Sequence, residues 1–283
     1  MKTYLDCIPC FLKQALKVSR LITDDEVLQE QIIQQVIKLI GQLDFTQTPP
    51  AIAEKVYELI STLTKCADPY FDIKKDSNRM AMDFYPKMKE LIKTSSNPLE
   101  TAIRLAIAGN IIDFGAGIDA NREIIQNSIE DSLQYNIPQP ILDRLQSSIT
   151  KAKNILYIGD NAGEIVFDKL LIEELLPKKI TYVVRGKPII NDITLTDAIE
   201  TGMNDLVQVI ENGSGASGTI LEDCSPEFIQ HYNDADLIIA KGQGNYETLD
   251  REGKGIFFLL KVKCPIVAQS TNCKMGSSII VEK

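Results

Sequence analysis

The sequence predicts an α/β protein in two parts. Residues 1–150 read as a helical domain, and residues 151–283 as a parallel sheet with helices on its faces. Three observations carry this. Through the first part, apolar residues recur at spacings of three and four, the helical period. From about residue 153, short apolar runs alternate with helical segments, as in strand–helix units wound into a parallel sheet. The chain has 283 residues, 44% hydrophobic and 24% charged, a globular composition with length for about two domains. No Gly-, Ser- or Pro-rich linker separates the parts, so the boundary is soft.

In the first part, residues 24–43 carry Val27, Ile32, Ile33, Val36, Ile37, Ile40 and Leu43 on one helical face, with acids at the start. Pro49-Pro50 opens a second helix through Ile52, Val56, Leu59, Ile60 and Leu63, proline being suited to a first turn. Pro98 opens a third through Leu99, Ile103, Ile107 and Ile111, and two more follow at about 119–134 and 138–150. In the second part, 155–158, 180–184, 206–210 and 237–240 read as strands. They precede helices at 164–176, 192–201, 226–232 and near 246–252. Further apolar runs lie at 257–262, 265–269 and 279–281.

Composition narrows the function. Thirty basic and 39 acidic residues give a net charge of −9, which disfavours nucleic acid and anionic membranes as partners. Asp6 and Lys13 break any signal-peptide pattern, and no run approaches a membrane span, so a cytoplasmic protein is expected. Six cysteines are too few for a disulfide scaffold. The single histidine, His231, argues against His-based zinc sites and triads, and is read as a surface or helix-end residue.

In a parallel sheet every strand ends on the same edge, and ligands bind beyond those ends. The four loops there are Gly159-Asp160-Asn161-Ala162-Gly163-Glu164, Lys187-Pro188-Ile189-Ile190-Asn191-Asp192, Gly213–Thr219 and Lys241-Gly242-Gln243-Gly244-Asn245-Tyr246-Glu247. Carboxylate and amide oxygens suit Mg²⁺ or Mn²⁺. Lysine and glycine-rich N–H arrays suit phosphate. Each loop alone has a plainer reading as a cap, turn or flexible link. Their coincidence on one edge points to metal-assisted phosphoryl transfer to water, which needs no histidine.

At these residues the sequence resembles the metal-dependent damage-control phosphatases, in particular the stand-alone subgroup with an N-terminal Cys-x-x-Cys. The matching pieces, in order, begin with Cys7-Ile8-Pro9-Cys10, then Asp68-Pro69-Tyr70 with Lys75 and Asn78, then Gly109–Gly115. The four loops follow, and Lys263-Cys264-Pro265 closes the series. The resemblance implies a helical N-terminal domain packed on a three-layer α/β/α domain with a mainly parallel sheet. It implies a divalent metal (Mg²⁺ or Mn²⁺, with Co²⁺ and Ni²⁺ as alternatives) on Asp160, Asn161 and Asp192. It also implies phosphate contacts from Asn110 and Lys241, hydrolysis of phosphate monoesters of small or damaged metabolites, and a cleft built jointly with the segment around Asn110 and Asp113.

On this reading Lys241 neutralises the phosphate, Asn110, Gly242 and Asn245 orient it, and Asp113 or Glu247 manages the proton. A water activated by the metal is the nucleophile, with an aspartyl-phosphate on Asp160 as the rival mechanism. Tyr70, Lys75 and Asn78 are read as a polar loop, either at the substrate mouth or capping the next helix. Cys7 and Cys10 stay open between structural packing, a metal half-site and a redox pair. Two other functions compete. Ile158–Gly163 also suits an S-adenosylmethionine-dependent methyltransferase, and the whole cleft suits a non-catalytic nucleotide or sugar-phosphate binding protein. The substrate and the oligomeric state are not legible.

Overall fold

The computed structural model describes residues 1–111, 122–135 and 137–283. Its first part is helical: α1 (Cys7–Ile22), α2 (Glu26–Ile40), α3 (Pro49–Thr64), α4 (Phe71–Thr94), α5 (Pro98–Ile111), α6 (Arg122–Gln134) and α7 (Gln139–Lys151). The local signals act as their chemistry dictates. Asp25 caps α2 by accepting from the Val27 and Leu28 amides, and Thr48 caps α3 ahead of Pro49 and Pro50.

Two helices depart from the sequence reading. α1 has no counterpart in it. α4 runs through the stretch read as a polar loop, so Lys75 and Asn78 stand on a helix. The reason is visible in what α4 buries. From Ala81 onward it buries Ala81, Phe84, Met88 and Ile92, but before that it buries Lys74, Ser77 and Asn78, so the apolar stripe is broken where polar groups face inward.

The second part carries six strands: β1 (Asn154–Ile158), β2 (Lys179–Val184), β3 (Gln208–Glu211), β4 (Leu237–Lys241), β5 (Ile256–Lys261) and β6 (Ser278–Glu282). They form one sheet in the order β3-β2-β1-β4-β5-β6, parallel except for β6. Its helices are α8 (Glu164–Leu175), α9 (Leu195–Glu200), α10 (Pro226–Asp234), α11 (Gly242–Leu249) and α12 (Pro265–Thr271). The strand order reverses between β1 and β4, and the crevice beyond their C-terminal ends is where such sheets bind ligands.

Both sheet faces are covered, which is why the strands read as continuous apolar runs. Ile155 and Tyr157 of β1 face a core shared with α4, α5 and α8. Leu156 and Ile158 face the opposite core with Phe228, Tyr246 and Val267. α8 lies between the sheet and the helical part and is buried on nearly every side. A third core joins α1, α2 and α3 around Phe11, Ile32, Val36 and Ile52, and it takes in Ile189 from the loop after β2. No described helix is long and apolar enough to cross a membrane.

Candidate active site

The four loops converge. The loop after β1 and the loop after β2 are stitched together at the crevice. Asn161 and Asp192 pair in an isolated antiparallel bridge, Ala162 N–H donates to Asn191 C=O, and Ile193 N–H donates to Asp160 C=O. This holds Asp160, Asn161 and Asp192 side by side at the base of a cleft of about 410 Å³. The far wall of the cleft comes from the helical part, including Phe11, Pro50 and Tyr70.

Within the group, Asp160 Oδ2 accepts from Asn161 Nδ2 at 2.6 Å and from Asn110 Nδ2 at 3.0 Å. Asp192 Oδ1 accepts from Ser217 Oγ at 3.1 Å, in the loop after β3, and its Oδ2 accepts from Arg185 Nε at 2.7 Å. Arg185 also reaches Asn245 Oδ1 at 3.2 Å. Its Nη2 stands 3.7 Å from Asp160 Oδ1 and makes no hydrogen bond. The Asn161 amide nitrogen is committed to Asp160 and Glu164, and its oxygen accepts from no described residue.

The electrostatics follow from crowding. Burial pushes the Asp160 carboxyl up to about 8, Asp192 and Glu164 add to the rise, and Arg185 and Lys263 oppose it. Burial likewise raises Asp192 despite Arg185. Asp160 and Asp192 share the buried Arg185 guanidinium, while Glu164 beside them is paired with Lys241. Among the described residues, no three His, Cys, Asp or Glu side chains form a ready metal cage. The candidate donor set here is two carboxylates and an amide, and its hard oxygens fit a divalent cation of the Mg²⁺ or Mn²⁺ kind.

Asn110 sits at the end of α5 and ties the helical part to the cleft. It donates to Asp160 and to Glu164 Oε2, and its Oδ1 accepts from Lys261 N–H at 3.0 Å. Gly242 opens α11 at a φ of +80°, and a Cβ there would lie 1.9 Å from Asp160 Oδ2. Only glycine lets the helix start abut that carboxylate, where the N-terminal end of the helix dipole favours negative charge. Glu247 lines the cleft, and burial pushes its carboxyl up to about 7 while Gln243 and the N-terminal ammonium oppose the rise.

Two expected phosphate contacts lie elsewhere. Lys241 is fully buried, and its ammonium donates to Ala106 C=O at 2.7 Å, Glu164 Oε1 at 2.7 Å and Asp168 Oδ1 at 2.5 Å. An ammonium has three protons, so none is left to turn toward the cleft in this structure. Asn245 is also buried, bonded to Gly159 C=O, Lys241 C=O, Arg185 and Thr219. Lys263 is exposed at the cleft rim. Asp113 lies outside the described residues.

Tyr70 lines the cleft, whereas Lys75 lines a separate groove beside Lys187. Asn78 lies behind the loop after β1: its Oδ1 accepts from Gly163 N–H at 2.7 Å and its Nδ2 donates to Asp197 at 2.9 Å. Cys7, Cys10 and Cys264 are free thiols on the cleft wall, and burial raises the Cys7 thiol. His231 is away from the cleft, on α10 beside Thr181. The sequence reading missed Arg185, Ser217 and the part Glu164 plays. Arg185 directly follows the apolar run of β2, the same signal that singled out Lys241 after β4.

Fold and site together define an α/β protein whose sheet edge carries a buried acidic cluster. Among known proteins, residues 3–279 match the model of the damage-control phosphatase ARMT1-like domain. The chain belongs to that family. It is 32% identical over 281 residues to a damage-control phosphatase of Archaeoglobus fulgidus, covering 96% of each chain. It is 35% identical over 285 residues to a damage-control phosphatase of Pyrococcus horikoshii, covering 99% of this chain and 97% of that one. The crystal structure of a DUF89 family protein from Pyrococcus horikoshii superposes with a TM-score of 0.89 at 32% identity, covering 100% of this chain and 99% of that one.

Proposed function

We propose that this phosphatase is metal-dependent and hydrolyses phosphate monoesters of small phosphometabolites, such as sugar phosphates or damaged metabolites. The observation that carries the reading is the grouping of Asp160, Asn161 and Asp192, stitched side by side at the cleft on the open edge of the sheet. The names of the two relatives support the phosphatase activity. Asp160, Asn161 and Asp192 would hold the cation, Mg²⁺ or Mn²⁺ by donor type, with Co²⁺ or Ni²⁺ as alternatives. When bound, it supplies Lewis acidity toward the phosphate and makes nearby water more acidic.

The chain's own residues do the rest. Arg185 holds Asp192 in place and sets a positive charge behind Asp160. Lys263, on the rim, draws the anionic ester into the cleft, a task that Lys241 performs only indirectly by holding Glu164. Asn110 orients the Asp160 carboxylate. Glu247, with a carboxyl near 7 on the cleft wall, accepts or returns a proton at neutral pH. Water is the nucleophile favoured over Asp160, because Asp160 Oδ2 is already held by two amides.

The test is phosphate release from an aryl phosphate and a panel of sugar phosphates, using protein stripped with a chelator and resupplied with single divalent ions. Release is expected only with metal, and Asp160→Ala is expected to lower it by about a thousandfold, matching the several kcal/mol a catalytic cation provides. Equal release from stripped and reloaded protein would refute the metal dependence.

A further inference from the structure

Ile190 is a β-branched residue with a φ of +45°, a left-handed conformation that such residues almost never adopt. Its place explains why the conformation matters. Residues 189–192 form a tight turn closed by Asp192 N–H donating to Ile189 C=O at 3.0 Å. Ile190 occupies the second position of that turn, where a positive φ is the business of glycine or asparagine. The turn ends on Asp192, whose backbone pairs with Asn161. A left-handed isoleucine therefore sits two residues before a candidate metal ligand and sets the direction of the chain into it.

Something must hold it there, and the neighbours are the helical part. Ile189 is buried in the core of α1, α2 and α3, and Ile190 packs against that core while its exposed side lines the cleft. Glu54 of α3 adds a second tie by accepting from Gly215 N–H at 3.1 Å, in the loop whose Ser217 holds Asp192. The three-helix unit thus grips both loops that converge on Asp192.

We propose that Ile190 is a positioning residue: docking of its side chain on the α1–α3 core imposes the left-handed turn that aims Asp192 at the cation. The proposal rests on the metal reading of Asp160, Asn161 and Asp192. It makes the N-terminal helices part of the metal site without giving them a ligand. Backbone strain of this kind persists only where surrounding structure over-determines it, and it concentrates at functional sites.

Two substitutions separate strain from simple packing. Ile190→Ala removes the docking group and keeps the left-handed penalty, so the turn relaxes and Asp192 moves away. Ile190→Gly removes the same group but carries no penalty for a positive φ, so the turn persists. Packing alone gives the opposite order, because glycine removes more side chain and frees more backbone than alanine. Free Mn²⁺ measured by electron paramagnetic resonance reads the affinity of each full-length variant, with no activity needed. The expected result is about tenfold weaker Mn²⁺ binding for Ile190→Ala, with Ile190→Gly nearer to wild type than to Ile190→Ala. Glycine as weak as alanine, or weaker, overturns the proposal.

Asp160→Ala run in parallel tests the underlying reading, since it should abolish Mn²⁺ binding. If wild type and Asp160→Ala bind Mn²⁺ alike, the metal reading fails, and hydrogen exchange in metal-free protein still decides the role of Ile190. Exchange of the Asp192 and Ala162 amides that is faster in Ile190→Ala than in Ile190→Gly upholds the turn-holding role; the reverse order overturns it. Ile190→Leu, which restores the apolar group, should recover most of the alanine loss in both readouts.

Discussion

Glu164 stands between two acidic clusters. On its inner side lie Asp168, Lys241, Tyr157 and Tyr182; on its outer side lie Asp160, Asn161, Asp192 and Arg185. The inner group is fully buried and closed: Lys241 uses three donors, and Asp168 accepts from Lys241, from Tyr157 at 2.7 Å and from Tyr182 at 2.9 Å. Burial lowers the Lys241 ammonium, but Asp168 and Glu164 more than offset this and leave it raised. The outer group is left unfinished. Arg185 Nη2 has no hydrogen-bond partner, the Asn161 oxygen has no described donor, and Asp160 is pushed up to about 8 where Asp168 reaches only about 6. Similar residue types, close together, have complete bonds on one side of Glu164 and incomplete bonds on the other.

The largest expected effect tests that division directly. Lys241→Met leaves Glu164 and Asp168 buried without their cation, and should cost about 3–5 kcal/mol of stability in urea unfolding. Asp160→Asn replaces a crowded carboxyl with a neutral amide, and in metal-free protein should leave stability unchanged or raised. A comparable loss in both variants would erase the distinction between the clusters.

Next in size, Tyr182→Phe removes one of the two tyrosine donors to Asp168, a hydrogen bond to a charged group worth about 1.5–3 kcal/mol. The loss should appear in the unfolding midpoint, with metal binding unchanged. Weaker metal binding in this variant would show that the inner cluster reaches into the outer one.

The smallest effect concerns pH. The Glu247 carboxyl lies higher in the folded protein, at about 7, than its ordinary value of 4.5. Folded protein therefore binds the proton more tightly than unfolded chain. Its contribution is fully present below about pH 4.5 and is lost as pH rises to about 7. Glu247→Gln should flatten the decline of stability across that window. An unchanged slope would mean that Glu247 does not titrate as a buried acid.

Much of the second part was legible because strand and helix differ in apolar period. Parallel strands buried on both faces read as short continuous runs, and the four loops on one edge followed from topology alone. α4 was not legible. Its inward-facing stretch carries Lys74 and Asn78, and their partners Asp68, Asp197 and Gly163 belong to other segments. A buried polar residue looks exposed in a sequence until its partner is known. Lys241 shows the converse: a cation at a strand end suggested an anion site, and its carboxylates proved to be supplied by α8.

By itself, then, the sequence determined the class of fold, the sheet edge and the acidic loops placed on it, together with the family resemblance they carry. These depend on period, on strand ends and on residue chemistry, all local properties. Only the tertiary structure decided which charges are satisfied. It joined Asn110 to Asp160, gave Lys241 to Glu164 and Asp168, brought Arg185 behind the acids, and set Ile190 against the N-terminal helices. Each of those depends on contacts between residues far apart in the chain, where the balance between burial and partnering is settled in space.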